Sequence, residues 1–187
     1  LVESGVELVS FTGSYPTGRK VVAASAKTLA KTIIELGGSN PLIVCADANL
    51  DKAADAVLDS AFSNAGQRCS SASRVVIEHS VYEEFRKILT KKASAVTFGV
   101  EPDVDVSTLV DDASAEAFEN FLKQAIAHGG KVERVGKASG SVEGVAALVQ
   151  PAIIEGLDLA TDVASSEIFG PATRLFSFST DDEAIEI

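Results

Sequence analysis

Two short stretches of this 187-residue chain carry groups that could do chemistry together. Glu35-Leu36-Gly37-Gly38 sets a carboxylate before two glycines, and Gly66-Gln67-Arg68-Cys69 sets a thiol 34 residues further on. Carbonyl chemistry through a covalent thioester needs these two groups, a sulfur that attacks and a base that activates water. Gln67, Arg68, Ser70 and Ser71 make the surroundings of Cys69 polar, which is where reactive thiols are found. On that context alone a nucleophile and an ordinary cysteine both remain open. Cys45 lies in the apolar run Pro41-Leu42-Ile43-Val44-Cys45 and reads as an inert, buried small hydrophobe. For Glu35 the plain alternative is a strand-end carboxylate in water, although two glycines permit close backbone approach.

Two further motifs flank these. Phe11-Thr12-Gly13-Ser14-x-x-x-Gly18 follows a strand pattern and opens a helix, where backbone N–H groups can receive a phosphate. A simple tight turn accounts for its glycines equally well. Glu167-Ile168-Phe169-Gly170-Pro171 reads locally as a turn before a strand, with Pro171 at the strand's edge. Two histidines, His79 and His128, fall where elements end and read as structural. Two cysteines cannot make a disulfide framework and two histidines cannot make a convincing zinc site, so no metal is expected.

In order and spacing, Phe11-Thr12-Gly13-Ser14, Glu35-Leu36-Gly37-Gly38, Asn64-x-Gly66-Gln67-x-Cys69 and Glu167-Ile168-Phe169-Gly170-Pro171 resemble the aldehyde dehydrogenase superfamily. The resemblance runs through nearly the whole chain. It implies an NAD- or NADP-dependent oxidation of a small-molecule aldehyde to an acid through a thiohemiacetal and a thioester on Cys69. Glu35 would be the general base for thioester hydrolysis, a task suited to a partly buried carboxylate of raised pKa. Its presence favours hydrolytic over CoA-acylating members. The same resemblance sets Gly13, Ser14 and Gly18 against the dinucleotide, Glu167 on the nicotinamide-ribose hydroxyls and Phe169 beside them. The backbone N–H of Cys69 and an upstream asparagine would stabilise the oxyanion. Two positions depart from the pattern: Ser39 stands where many members carry lysine, and Ser166 where many carry a second acidic residue.

The elements that must position these residues follow from periodicity. Val6–Phe11 alternates as a strand, Pro16 opens a helix to about Ala26, and Thr32–Leu36 is a second strand. Pro41–Cys45 reads as a strand covered on both faces, followed by a helix to about Asn64 that Asp51 could cap. Strands are expected at Arg74–Glu78, Lys131–Val135, Ala152–Ile154 and Ala172–Phe178. Amphipathic helices carry Val81, Phe85, Ile88 and Leu89, then Phe118, Phe121, Leu122 and Ala125, the latter stopping at Gly129-Gly130. Gly136 to Gly144 reads as a surface loop. The alternation predicts an α/β fold, an open, mostly parallel sheet flanked by helices, in the form of a truncated aldehyde dehydrogenase catalytic domain.

Residues 1–36 are expected to be the tail of a coenzyme-binding domain, and 37–187 a catalytic domain lacking its C-terminal part. Methionine is absent, Leu1-Val2-Glu3 reads as the middle of a longer chain, and Glu183–Ile187 as a helix cut short. The expectation is an internal piece with little or no turnover by itself, from a parent that is a homodimer or homotetramer. Hydrophobic residues at 46% and charged residues at 23% fit a globular protein. A net charge of −11 argues against nucleic acid as partner. No apolar run is long enough for a membrane helix, and a reducing, cytoplasmic setting fits the thiols. Two other function classes stay open: a non-catalytic relative of the same fold, and a cysteine hydrolase using His79 or His128 as base.

Overall fold

The computed structural model describes residues 1–187. They divide into two compact units, Leu1–Gly38 and Ser39–Ile187. The first is a strand–helix–strand unit: β1 (Leu8–Gly13), α1 (Tyr15–Ser25) and β2 (Lys31–Leu36). β1 and β2 pair in parallel, with Thr12 beside Glu35 and Gly13 beside Leu36. Val9, Phe11, Thr32, Ile34 and Leu36 form the half-covered face, while Leu8, Ser10, Ile33 and Glu35 are exposed. A Cβ at Gly18 would lie 2.7 Å from the Leu36 side chain, so this glycine lets α1 rest closely on β2. Sequence alternation sets the first strand two residues earlier than observed, because the partner strand, not β1's own pattern, fixes where pairing starts.

The second unit opens with β3 (Asn40–Val44), α2 (Leu50–Phe62) and β4 (Ala72–Glu78). α3 (Tyr82–Ala93), β5 (Thr97–Gly99) and α4 (Asp112–Ala127) follow. β6 (Lys131–Arg134), β7 (Lys137–Ser139), β8 (Ala152–Glu155), α5 (Asp162–Ser165), β9 (Ala172–Phe178) and α6 (Asp181–Glu186) complete it. Five strands form one sheet in the order β3-β4-β9-β8-β6, parallel except for the antiparallel pairing of β6 with β8. This is the open, mostly parallel α/β sheet that the alternation predicts. Apolar faces of α2, α3 and α4 cover it, through Val57 and Ala61, Phe85 and Leu89, and Phe118 and Leu122.

Four expectations are corrected. β3 is an edge strand whose residues alternate between exposed and covered, so its continuous apolar run does not mean burial on both faces. Cys45 follows that strand and is exposed, not buried. α2 is capped by Asn49, whose side chain accepts from Lys52 N at 3.0 Å, two residues before the expected Asp51. The segment from Gly136 to Gly144 also contains β7, which pairs in parallel with β5. Three residues are too few for a periodic signal. No helix is long and apolar enough to cross a membrane.

Candidate active site

Cys69 sits in the loop between α2 and β4, and the backbone there is unusual. Asn64, Ala65 and Gly66 all adopt left-handed φ, at 53°, 52° and 69°. Such a conformation costs a residue with a Cβ roughly 1–2 kcal/mol, so Ala65 must be held there by its neighbours. Gly66 explains how. A Cβ on it would fall 2.1 Å from the Gly170 carbonyl oxygen, and one on Gly170 would fall 2.3 Å from the Phe118 ring. The loop of Cys69 therefore lies backbone against backbone on Glu167-Ile168-Phe169-Gly170-Pro171, which lies on α4. Two motifs about a hundred residues apart in sequence meet through two glycines.

Side chains fasten the loop at both ends. Gln67 Oε1 accepts from Val110 N at 2.8 Å and its Nε2 donates to Asn64 O at 3.2 Å. Arg68 turns back, donating from Nη2 to Asp59 O at 3.1 Å and to Ser63 Oγ at 2.5 Å, so it closes the C-terminal turn of α2. Asn40 Nδ2 donates to the Cys69 carbonyl at 2.5 Å. The Cys69 side chain is exposed, and its backbone N–H donates to no group of the chain. Sulfur attack and donation to a developing oxyanion are both geometrically open there.

Glu35 is exposed at the C-terminal end of β2, not partly buried, because the face it shares with Lys31 and Ile33 has no covering element in its own unit. Gly13 and Ser14 lie at the same end of this two-stranded sheet. Ser14 precedes α1 without capping it. Its Oγ donates to Thr17 Oγ1 at 3.0 Å, and no acidic residue stands in the first turn. The N–H groups of Tyr15 and Thr17 are left uncommitted, an arrangement that suits an anion. Gly13 and Gly18 spend their missing side chains on Phe11 and Leu36. Glu167 and Phe169 are exposed in their loop, and the Glu167 carboxylate has no partner in the chain. The structure thus assembles one group of site residues in each unit: Gly13, Ser14, Gly18 and Glu35 in the first, Cys69, Glu167 and Phe169 in the second.

The histidines stand elsewhere. His79 follows β4 and shares a 3.3 Å hydrogen bond with Ser177 Oγ, whereas Cys69 precedes that strand; seven strand residues separate them by roughly 20 Å. His128 bonds to Gln124 O at 2.9 Å at the end of α4, roughly 15 Å along the helix from Phe118. No cluster of three or more His, Cys, Asp or Glu side chains is arranged to hold a metal.

One residue of this neighbourhood escapes sequence reasoning. Arg174, in β9, is wholly buried. Its guanidinium reaches Ser73 O at 3.1 Å, Val163 O at 2.5 Å, Ser166 O at 2.9 Å and Ser39 Oγ at 2.8 Å. Burial, and secondarily the charge of Arg74, pulls its pKa down to about 10. A charged residue within the apolar run of a central strand was the available signal.

Comparison with known proteins completes the picture. The whole chain, residues 1–187, matches the family model described as the aldehyde dehydrogenase family. It is 37% identical over 187 residues to a betaine aldehyde dehydrogenase of Cereibacter sphaeroides, covering 99% of this chain and 38% of that protein. To the lactaldehyde dehydrogenase of Escherichia coli it is 34% identical, covering 97% of this chain and 38% of the relative. Among solved structures, 3,6-anhydro-L-galactose dehydrogenase in complex with NAP superposes with a TM-score of 0.93, with 32% identity over 100% of this chain and 40% of that one. The betaine aldehyde dehydrogenase of Staphylococcus aureus in complex with NAD+ gives 0.90 and 28%, covering 97% of this chain and 36% of that one. The chain spans about 38% of the length of the curated relatives it matches.

Proposed function

Because this chain belongs to the aldehyde dehydrogenase family, we propose that it is the thiol-bearing part of an enzyme that oxidises an aldehyde to a carboxylic acid. The observation that carries the reading is the loop of Cys69: an exposed thiol with a free backbone N–H, fixed on the Glu167–Pro171 segment. Cys69 thiolate attacks the carbonyl carbon, forming a C–S bond and a tetrahedral oxyanion. The Cys69 N–H donates to that oxygen, a contribution of about 3–4 kcal/mol for one well-placed donor. When bound, NAD or NADP supplies the acceptor for the hydride. Glu35 then takes a proton from water as the water's oxygen attacks the thioester carbon. The C–S bond breaks, the acid leaves and the thiolate is restored.

The residues present fit a dinucleotide. The uncommitted N–H groups at the start of α1, free of carboxylates, suit a phosphate. The unpaired Glu167 carboxylate suits a ribose diol, and the exposed Phe169 ring supplies an apolar wall. In this reading Leu1–Gly38 is the end of a coenzyme-binding domain and Ser39–Ile187 part of a catalytic domain. The remaining cofactor walls would lie in a longer protein, a cytoplasmic homo-oligomer, and these 187 residues alone would turn over little substrate.

Replacing Glu35 with glutamine in the complete enzyme tests the assignment. Glutamine keeps size and hydrogen bonding but cannot take a proton. A burst of about one reduced cofactor per active site should precede a steady rate lowered on the order of 10²–10⁴-fold. Loss of the burst would make Glu35 the activator of Cys69 instead, and near-normal steady turnover would leave it no chemical role.

A further inference from the structure

Arg174 takes no part in the chemistry above, yet it is the largest fully buried side chain of the molecule. No salt bridge joins it to a carboxylate; its acceptors are three backbone carbonyls and one hydroxyl, with the Phe121 ring 5.7 Å from its Cζ. Burying a guanidinium without a counter-ion is costly, and an apolar side chain of similar size is often at least as stable in such a place. What the arginine provides that an apolar residue cannot is a planar fork with fixed donor directions. That fork starts from the central strand β9, where Arg174 pairs in register with Arg74 on one side and Ile154 on the other. Two of its four bonds hold Val163 O and Ser166 O, which bracket the chain leading into Glu167 and Phe169. The other two hold Ser73 on β4 and Ser39 at the start of the unit, and Ser39 Oγ also meets Ser73 Oγ at 3.1 Å.

We propose that Arg174 is a positioning residue for the cofactor: it anchors the Ser166 backbone to the central sheet and so sets the direction of Glu167 and Phe169. This rests on the reading that those two residues meet the nicotinamide ribose. A single nitrogen, Nη2, serves both Ser166 O and Ser39 Oγ. These are the two positions where the sequence departs from the usual lysine and acid of the resembled family. The guanidinium occupies the place between them, so one buried cation from β9 does the holding that side chains from both positions could do.

The test uses the complete protein that carries this segment, with Arg174→Gln and Arg174→Lys. Binding of NAD and of NADP is measured calorimetrically without aldehyde, alongside thermal melting and steady-state kinetics. Arg174→Gln should weaken cofactor binding and raise its KM about tenfold while kcat at saturating cofactor stays within about threefold, the signature of lost binding geometry rather than lost chemistry. Arg174→Lys keeps the buried charge but not the fork, and should show the same split if Arg174→Gln does not fold. Adding Ser39→Lys and Ser166→Glu to Arg174→Gln should restore cofactor affinity. A residue that merely stabilised the fold would lower the melting temperature and the active fraction without moving KM, and that result overturns the proposal. Unchanged affinity in both single variants also overturns it, while leaving the function itself standing. A parent protein that binds neither NAD nor NADP would remove the functional reading and this inference together.

Discussion

Cys69 and Cys45 are both exposed, so burial does not separate them; their backbones do. Cys45 follows an edge strand, whereas Cys69 sits on a loop fixed by Asn40, Gln67 and the Gly66–Gly170 contact. Cys45→Ser should leave steady-state turnover of the complete enzyme within about twofold, and Cys69→Ser should lower it by roughly 10³-fold or more, as loss of a nucleophile does. Equal losses from the two changes would void the assignment. At this scale the sequence was legible where chemistry needs rare groupings, as in the polar stretch around Cys69. It was opaque where a residue works through geometry. Arg174 is one letter in an apolar strand, and nothing local says that its partners lie at positions 39, 73, 163 and 166. The burial expected of Cys45 failed because apolar composition does not tell an edge strand from a central one.

Elements make their own predictions. Ala at Gly66 would have to adopt left-handed φ and overlap the Gly170 carbonyl, so about 3 kcal/mol of stability should be lost, as read by denaturant unfolding. Asn49→Ala should cost about 1 kcal/mol through its cap on α2. α3 is tied to β8 by Arg86 and Glu155 at 2.6 Å. Burial of Tyr82 on the same helix, and then the charge of Glu155, pushes its hydroxyl up to about 12. The folded state thus favours neutral tyrosine, a contribution that is full below pH 10 and fades as pH rises towards 12. Arg174, with its lowered pKa, acts in the opposite sense there, so the informative quantity is the stability difference between the parent and Tyr82→Phe. That difference should be flat up to pH 10 and fall between 10 and 12; a level difference throughout would mean that Tyr82 ionises as freely folded as unfolded. Long periodic helices and apolar strands were readable from spacing. The three-residue β5 and β7 were not, since their pairing is set by the fold around them.

Across the whole molecule, every buried apolar side chain of the core belongs to Ser39–Ile187, and the 38 residues before it bury only Gly18 and Ser25. A two-stranded sheet with one helix cannot exclude enough water to stand alone. Residues 39–187 expressed separately should therefore unfold cooperatively, with dispersed amide resonances, while 1–38 alone should show the spectrum of an unfolded chain. A non-cooperative melt for 39–187 would contradict this. The α/β class was legible from alternation. The sheet order was not, because strand neighbours depend on contacts far apart in sequence.

That sheet order bears on how the chain is made. β9 lies between β4 and β8 and pairs with both, but a ribosome produces it about a hundred residues after β4. Until then the nascent protein holds two half-sheets, β3 with β4 and β6 with β8, each ending in an unpaired inner edge. Val75, Val76 and Ile77 line one of those edges, an aggregation-prone sequence for as long as it waits. At ordinary synthesis rates the interval is about 5–20 s, long enough for a chaperone to be the first partner that β4 meets.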